Sequence, residues 1–444
     1  MPDRHGQSGH AIWRSGQHSY GIIGQSDPDQ GHDLTIYQLW RFIIVGKQPD
    51  HGADPCLDPQ THHRRSLCRW RPVMSAGIIY LAAGGTGGHI FPALAVAEAM
   101  NARGYQTCLF TDRRGAALLA SIEKLPVRLH VISAASPFQS GILRRIMALT
   151  KLGMGTLSCL WHIGLRPPMV MIGFGGYPSF APLLIARLFG VPVMVHEQNA
   201  YLGRANHALA NRARLIALSW PQTKNLPNGV KTHITGMPVR TAFFAKGRPN
   251  CAGDKLVLSV LGGSQGATIL GTLVPDALAM IDMPLRANIK IYQQARPEQI
   301  DNLKARYRAL GISASIKPFF TNMPNLLAKS NLVISRSGAS SIAELAATGR
   351  ASLMLPLPSA MDDHQKANAL QMEQAGGGYC LDEATVSPAF LATRIMQLFE
   401  APAELGKMAA NATALASPQA ASDIADLAEG LITKRNAPHL GAVA

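Results

Sequence analysis

From residue 77 to residue 355 short apolar runs rich in Val, Ile and Leu alternate with longer stretches of helical apolar spacing. A short run bounded by turn residues reads as a strand buried on both faces, and regular alternation with helices predicts a parallel, doubly wound sheet. Strands are expected at 77–83, 107–111, 127–133, 170–172 and 191–195 in a first half. A second half restarts with strands at 256–261, 289–293, 315–319, 332–334 and 352–355. Helices are expected at 91–100 and 140–154, and a last one over 418–434 that can cross back onto the first half. The fold class is α/β, with a first domain at 74–236, a second domain at 237–425 and a tail at 426–444.

Glycine-rich or small-residue turns close several of these strands. GGTGGH follows the first, GFGGYPS the run at 170–172, GGSQGA the run at 256–261 and RSGASS the run at 332–334. Such junctions aim unpaired backbone N–H groups and a positive helix end at an anion above the sheet. In the last of them Ser340 or Ser341 can cap a helix whose inner side carries Ile342, Leu345 and Ala346. Glu344, expected in its first turn, would repel a nearby phosphate, so a neutral ribose diol suits it; favouring its own helix N-terminus is the other reading. In the first junction Gly85-x-Gly87 lacks the third glycine, since Ile90 stands there, and no G-K-[ST] follows. A nicotinamide site and a Walker loop are therefore disfavoured, with Asp112 alone supporting a ribose-binding acid.

Polar residues gather at expected strand ends. His89, Tyr177, His196, Glu197 and Asn199 can line one cleft of the first half, while His364, Gln365 and Asn368 are spaced to meet sugar hydroxyls in the second. A basic amphipathic helix lies between, with Ile142, Leu143, Ile146, Met147 and Leu149 on one face and Arg144, Arg145 and Lys151 beside it. Helices of this kind settle on anionic lipid or pack as ordinary helices with solvated charges.

Composition narrows the classes. The 444 residues suffice for two full cores, and the formal charge of +15 favours an anionic partner. Six scattered cysteines without a C-x-x-C pair argue against a zinc ribbon or a disulfide framework. Residues 1–73 differ in composition, being rich in His, Gly, Asp and Gln without sustained periodicity, and read as a disordered or over-extended start. Cys56, His62, His63 and Cys68 match no zinc spacing, and no signal-peptide pattern is present. No apolar run approaches the length needed to span a bilayer.

The ordered set GGTGGH, GFGGYPS, HEQNAYLGRAN, GMPVR, GGSQGA, RSGASSIAEL and DDHQKANA resembles the MurG family over residues 77–431. HEQN with GGSQGA is the specific part. The resemblance implies a GT-B glycosyltransferase in which two Rossmann-like domains face a cleft. It implies an inverting hexosyltransferase that moves GlcNAc from UDP-GlcNAc to lipid I, undecaprenyl-pyrophosphoryl-MurNAc-pentapeptide, and so makes lipid II for peptidoglycan. Donor-contacting positions would be Thr86, Gly87, Gly88, Asn199, Arg240, Ser264, Phe320 (by its backbone), Ala339, Ser340, Ser341, Ile342, Ala343, Glu344 and Gln365. His89, Tyr177, His196 and Glu197 match positions for the acceptor or the chemistry. His89 is the first choice for general base, because imidazole titrates near neutrality, and Glu197 the second, with orienting the sugar or His89 as its other reading.

Thr268 and Gly271 depart from the Arg and Asn of many relatives, and Gln294-Ala295-Arg296 replaces a Ser/Gly-containing turn. No cofactor and no metal are expected. The expected location is peripheral, on the cytoplasmic face of the cell membrane, with an anionic membrane surface and cell-wall synthesis or division proteins as partners. Another UDP-sugar lipid glycosyltransferase or a UDP-GlcNAc epimerase is the nearest alternative. A nucleic-acid-binding protein would explain the charge but not the glycine loops.

Overall fold

Apolar runs between turns do become strands, and every strand pairing is parallel. The computed structural model describes residues 76–120, 122, 124–134, 142–245, 255–263, 267–358 and 363–436, with backbone alone at 142–146, 148, 149 and 436. All of these belong to one compact unit. The expectations for residues 1–73 lie outside the described residues, as does Ser264.

The first lobe is built on β1 (Ile78–Ala82), β2 (Gln106–Thr111), β3 (Arg128–Val131), β4 (Met171–Gly173), β5 (Val193–Glu197), β6 (Leu215–Leu218) and β7 (Thr232–Ile234). Their spatial order is β3-β2-β1-β4-β5-β6-β7. The second lobe uses β8 (Leu256–Leu261), β9 (Ile289–Gln294), β10 (Ser313–Lys317), β11 (Leu332–Ser335), β12 (Ala351–Met354) and β13 (Gly378–Cys380), in the order β10-β9-β8-β11-β12-β13. Each sheet thus changes direction of winding beside its first strand, between β1 and β4 and between β8 and β11. Ligands of doubly wound sheets collect at the carboxyl ends of such strand pairs, where the flanking loops diverge. The loops after β1, β4 and β11 sit there, as does the described start of the loop after β8 at Gly262 and Gly263.

The helices that matter for the site are α1 (Gly87–Ala102), α2 (Ile142–Leu165), α3 (Tyr177–Leu188), α4 (Ala339–Thr348), α5 (His364–Gln374), α6 (Pro402–Ala414) and α7 (Ala420–Asn436). β4, β5, β6, β11 and β12 are buried at every position, as strands covered on both faces by helices must be. Their side chains pack with α1 or α4 into separate cores for the two lobes.

Two chain crossings join the lobes. The first runs from β7 through Gly236 to the helix Thr241–Phe244, whose Phe243 is buried in the second lobe's core. The second lies between α6 and α7. Ile424, Ala425, Ala428 and Ile432 of α7 belong to the first lobe's core, with Ile79 and Leu94. Arg103 ties the helix down, through Glu429 Oε2 at 2.7 Å and Ser422 Oγ at 2.9 Å. Ala425 is therefore in mid-helix, and the expected domain boundary there moves back to the turn around Ser417.

Three expectations are corrected in detail. α1 begins at Gly87, inside the glycine run, instead of near residue 91. α2 runs on to Leu165. β6, β7 and β13 were not expected; β7 is three exposed residues at a sheet edge and carries almost no apolar pattern.

Candidate active site

In the first lobe the loops after β1 and β4 lie against one another, and glycine makes this possible. A Cβ on Gly84 would stand 2.9 Å from Gly176 Cα, and Gly84 N donates to Gly175 O at 2.8 Å. The imidazole of His89 sits in the resulting cradle. Cβ atoms built on Gly84, Gly175 or Gly176 would each come within 3.3–3.5 Å of a ring atom. Nδ1 of His89 lies 3.0 Å from Thr86 Oγ1. Burial, with His364 across the cleft adding repulsion, pushes His89 down to about 4, so the ring is neutral at physiological pH. Thr86, Gly87 and Gly88 form the entry to α1, and Thr86 makes no side-chain cap. Tyr177 opens α3 directly after the second glycine loop.

The HEQN segment at the end of β5 behaves differently from its expected role. His196 is fully buried. Glu197 is 1% exposed and accepts four hydrogen bonds, from Asn199 N (3.0 Å), Asn199 Nδ2 (3.1 Å), Gly203 N (3.0 Å) and Asn206 Nδ2 (2.7 Å). Burial pushes its carboxyl up, against the pull of those donors. A carboxylate so occupied has no free edge for a substrate proton, which fits the orienting role expected of Glu197 better than that of second candidate base. His196, expected to serve the acceptor or the chemistry, likewise has no exposed edge. What the segment presents to the cleft is Asn199, half-buried, whose Oδ1 receives Asn368 Nδ2 from the second lobe at 3.4 Å.

On the second lobe α4 starts at Ala339, two residues earlier than a Ser340 cap allows. Its N-cap is Gly338, which makes no side-chain cap bond, so the expected capping by Ser340 or Ser341 is not observed. The first-turn N–H groups of α4 therefore lack a side-chain partner from the cap, the arrangement that suits an anion. Glu344 falls in the second turn, not the first. Ile342 and Ala339 turn their side chains into the interior, leaving backbone as their route to a ligand, whereas Ser340, Ser341, Ala343 and Glu344 are half-buried. Gln365 Oε1 accepts from Leu357 N at 3.1 Å, and its carbonyl from Ser337 Oγ at 2.9 Å. Asn368 is wholly buried and bridges Asn199 and Ser337 O, so it does not present itself to a sugar as the spacing had implied. Phe320 is buried and packs edge-on to Tyr292.

The lobes meet between α1 and α4. Arg240, on the first crossing, lies over the rings of Phe91 (4.8 Å) and Phe243 (5.1 Å). A narrow gap is lined by Phe91, Pro92, Pro238, Val239, Arg240, Ser340 and Glu344. Burial in it raises Glu344 to about 7, opposed by the positive charge of Arg240. Phe91 and Arg336 escaped the sequence reading. In the sequence residue 91 marks only the expected start of a helix. Arg336 is buried and donates to Leu355 O at 3.0 Å and Pro356 O at 3.2 Å, fixing the loop that leads to α5. Among the described residues no group of three or more His, Cys, Asp or Glu is placed to hold a metal ion.

Residues 79–218 match the N-terminal domain of glycosyltransferase family 28, and residues 257–427 its C-terminal domain. A relative from Rhodospirillum centenum is 42% identical over 374 residues, covering 82% of this chain and 98% of the relative. It bears the name UDP-N-acetylglucosamine–N-acetylmuramyl-(pentapeptide) pyrophosphoryl-undecaprenol N-acetylglucosamine transferase. The chain belongs to the MurG family of glycosyltransferases. A second MurG-type transferase of the same name, from Paramagnetospirillum magneticum, is 42% identical over 80% of this chain and 97% of its own length. The crystal structure of Acinetobacter baumannii MurG superposes with a TM-score of 0.63 at 29% identity, covering 80% of this chain and 99% of that one. The MurG architecture is thus the GT-B arrangement of two parallel-sheet lobes anticipated from the motifs.

α2 is the remaining feature of note. Met147, Met154, Leu157, Trp161 and Leu165 recur at helical spacing and are exposed, Met154 and Leu157 by about two thirds. The apolar face thus extends well beyond the stretch at 142–149 singled out in the sequence. The side chains of Arg144 and Arg145 lie outside the described residues. Among the described residues no helix is long and apolar enough to cross a membrane.

Proposed function

We propose that this protein transfers GlcNAc, with inversion, from UDP-GlcNAc to the MurNAc 4-hydroxyl of lipid I, giving lipid II and UDP. The observation that carries the reading is the meeting of α1 and α4 across the interlobe cleft, with Phe91 against Ser340 and Glu344 and the glycine-cradled His89 facing His364. The names of the 42%-identical relatives support the substrates.

In this reading the donor lies on the second lobe. Glu344 accepts from the ribose hydroxyls, the backbone of Phe320 meets the uracil, and the first turn of α4 takes phosphate charge through its N–H groups. Arg240 swings from the aromatic rings toward the diphosphate as the bond to the sugar breaks. Gln365 and Asn199 hold the GlcNAc, the latter kept in place by Glu197. Thr86, Gly87 and Gly88 bring the N-terminus of α1 to the other side of the donor.

The acceptor enters over the first lobe, past Tyr177. With Nδ1–H of His89 donating to Thr86 Oγ1, Nε2 keeps its lone pair and can take the proton from the attacking 4-hydroxyl. A pKa near 4 keeps the ring unprotonated while it waits. The negative diphosphate arriving opposite then raises its basicity toward the working range.

The acceptor's lipid tail requires work at a membrane surface. The exposed face of α2, with Lys151 beside it and Arg144 and Arg145 in its first turn, is the docking element in this reading, and the net charge of +15 favours an anionic, cytoplasmic leaflet. Cell-wall synthesis and division proteins are the partners this location would offer. Transfer of labelled GlcNAc to a lipid I analogue tests the reading: product with lipid I and UDP-GlcNAc is expected, and turnover only with another acceptor, or epimerised UDP-sugar instead of transfer, would overturn it.

A further inference from the structure

We infer that His196 is a positioning residue for the hinge between the lobes: its ring fixes the first interlobe crossing to the end of β5 and so sets how the lobes meet. The inference rests on the glycosyl-transfer reading for its kinetic arm only.

His196 has no exposed surface, yet its ring makes polar contacts on both nitrogens. Nε2 lies 3.2 Å from Gly236 O. A carbonyl only accepts, so Nε2 carries the hydrogen. Nδ1 is then the acceptor, and Gln198 Nε2 donates to it at 3.2 Å. The ring is a neutral imidazole with a determined tautomer.

Gly236 is the point where the chain leaves the first lobe. Its N–H bonds back to Leu218 O at 3.2 Å, and its carbonyl also receives Thr235 Oγ1 at 3.1 Å. Its φ is +78°, and a Cβ there would lie 2.1 Å from Ser417 Oγ. Ser417 belongs to the second crossing. Both covalent connections between the lobes therefore touch at Gly236, and His196 is the side chain from the sheet that holds it. Ser219 Oγ, 3.4 Å from Nε2, reaches Met237 Sδ at 3.5 Å and extends the clamp by one residue.

The same segment meets the second lobe again in the cleft, through Glu197, Asn199 and Asn368. A change in the seat of Gly236 is thereby coupled to the alignment of the opposed sites. None of the groups that would hold the donor on α4 is touched by the imidazole.

The experiment uses full-length protein with His196→Ala and His196→Gln, the glutamine amide being able to donate to Gly236 O. Three quantities are read: UDP affinity, turnover with a lipid I analogue, and small-angle scattering for the separation of the lobes. For His196→Ala the expectation is turnover reduced tenfold or more, UDP affinity within twofold of wild type, and a broader interlobe distance distribution. His196→Gln should recover turnover to within about threefold and restore the scattering profile. If His196→Ala does not fold, Thr235→Val, which removes the other donor to Gly236 O, should show the same split at smaller size.

Unchanged scattering in the alanine variant would overturn the inference. So would a loss of UDP affinity in proportion to turnover, or a glutamine variant as impaired as alanine. A wild-type enzyme inactive on the lipid I analogue would instead count against the proposed reaction, while scattering would still read the hinge.

Discussion

At the scale of single residues the site divides into groups left available and groups already engaged. His89 is held by one hydroxyl and cradled by glycines, whereas Glu197 accepts four N–H donors. Replacing His89 by Ala should lower turnover by about 10²-fold or more while leaving UDP-GlcNAc affinity within twofold; steady-state kinetics with a binding isotherm checks both. Glu197→Ala should act on folding first. It strands buried donors and should lower unfolding free energy by about 3 kcal/mol, measured by denaturant titration.

Glu344 makes a pH prediction of its own. Raised to about 7, it is increasingly protonated below that pH and loses its capacity to accept from two hydroxyls. UDP affinity should therefore weaken as pH falls from 8 to 6 in wild type. In Glu344→Gln it should be weaker throughout and nearly flat over that range. What could be read of Glu344 in the sequence was a carboxylate out of place beside an expected anion site, and the structure puts it in the gap between the lobes. The engagement of His196 and Glu197 was not legible in the sequence, because their partners, Gly236 and Asn206, are fixed only once β5, β6 and the crossing stand side by side.

Elements explain which parts of the fold could be read in advance. Strands buried on both faces, such as β1, β5 and β11, leave continuous apolar runs between turn residues. β7 leaves no such trace, since its three residues are exposed and pairing with β6 alone defines it. The start of α4 was misread because Ser340 and Ser341 are good cap residues, yet Gly338 already carries the extended backbone of the cap position. The full length of α2 was hidden by Gly153 and Gly155, which weaken a helical pattern. The latter is needed where the helix passes the backbone that follows β3, since a Cβ there would stand 2.1 Å from Ser133 O. For α2 as a docking element, Trp161→Ala with Leu157→Ala should reduce partition onto anionic vesicles several-fold. Arg144→Glu with Arg145→Glu should remove most of its salt dependence, and flotation assays read both.

For the whole molecule, the relevant fact is that His89, His130 and His196 are all held neutral by burial, each pushed down to about 4 from an ordinary 6.5. The unfolded chain takes up these protons first on acidification. The stability they contribute is full above about 6.5 and drains as the pH falls toward 4. For the buried His196 alone the loss is on the order of 3 kcal/mol, so melting temperatures should fall steeply across that window. His196→Gln should flatten part of the decline.

The relation between the two lobes is the central claim: donor on α4, chemistry from His89, one cleft. A crystal of the protein with UDP-GlcNAc tests it most directly. The uridine ribose should lie within hydrogen-bonding distance of Glu344, the diphosphate over the start of α4, and the anomeric carbon should face His89. A nucleotide bound over the loops after β1 and β4, with Glu344 left empty, would contradict it.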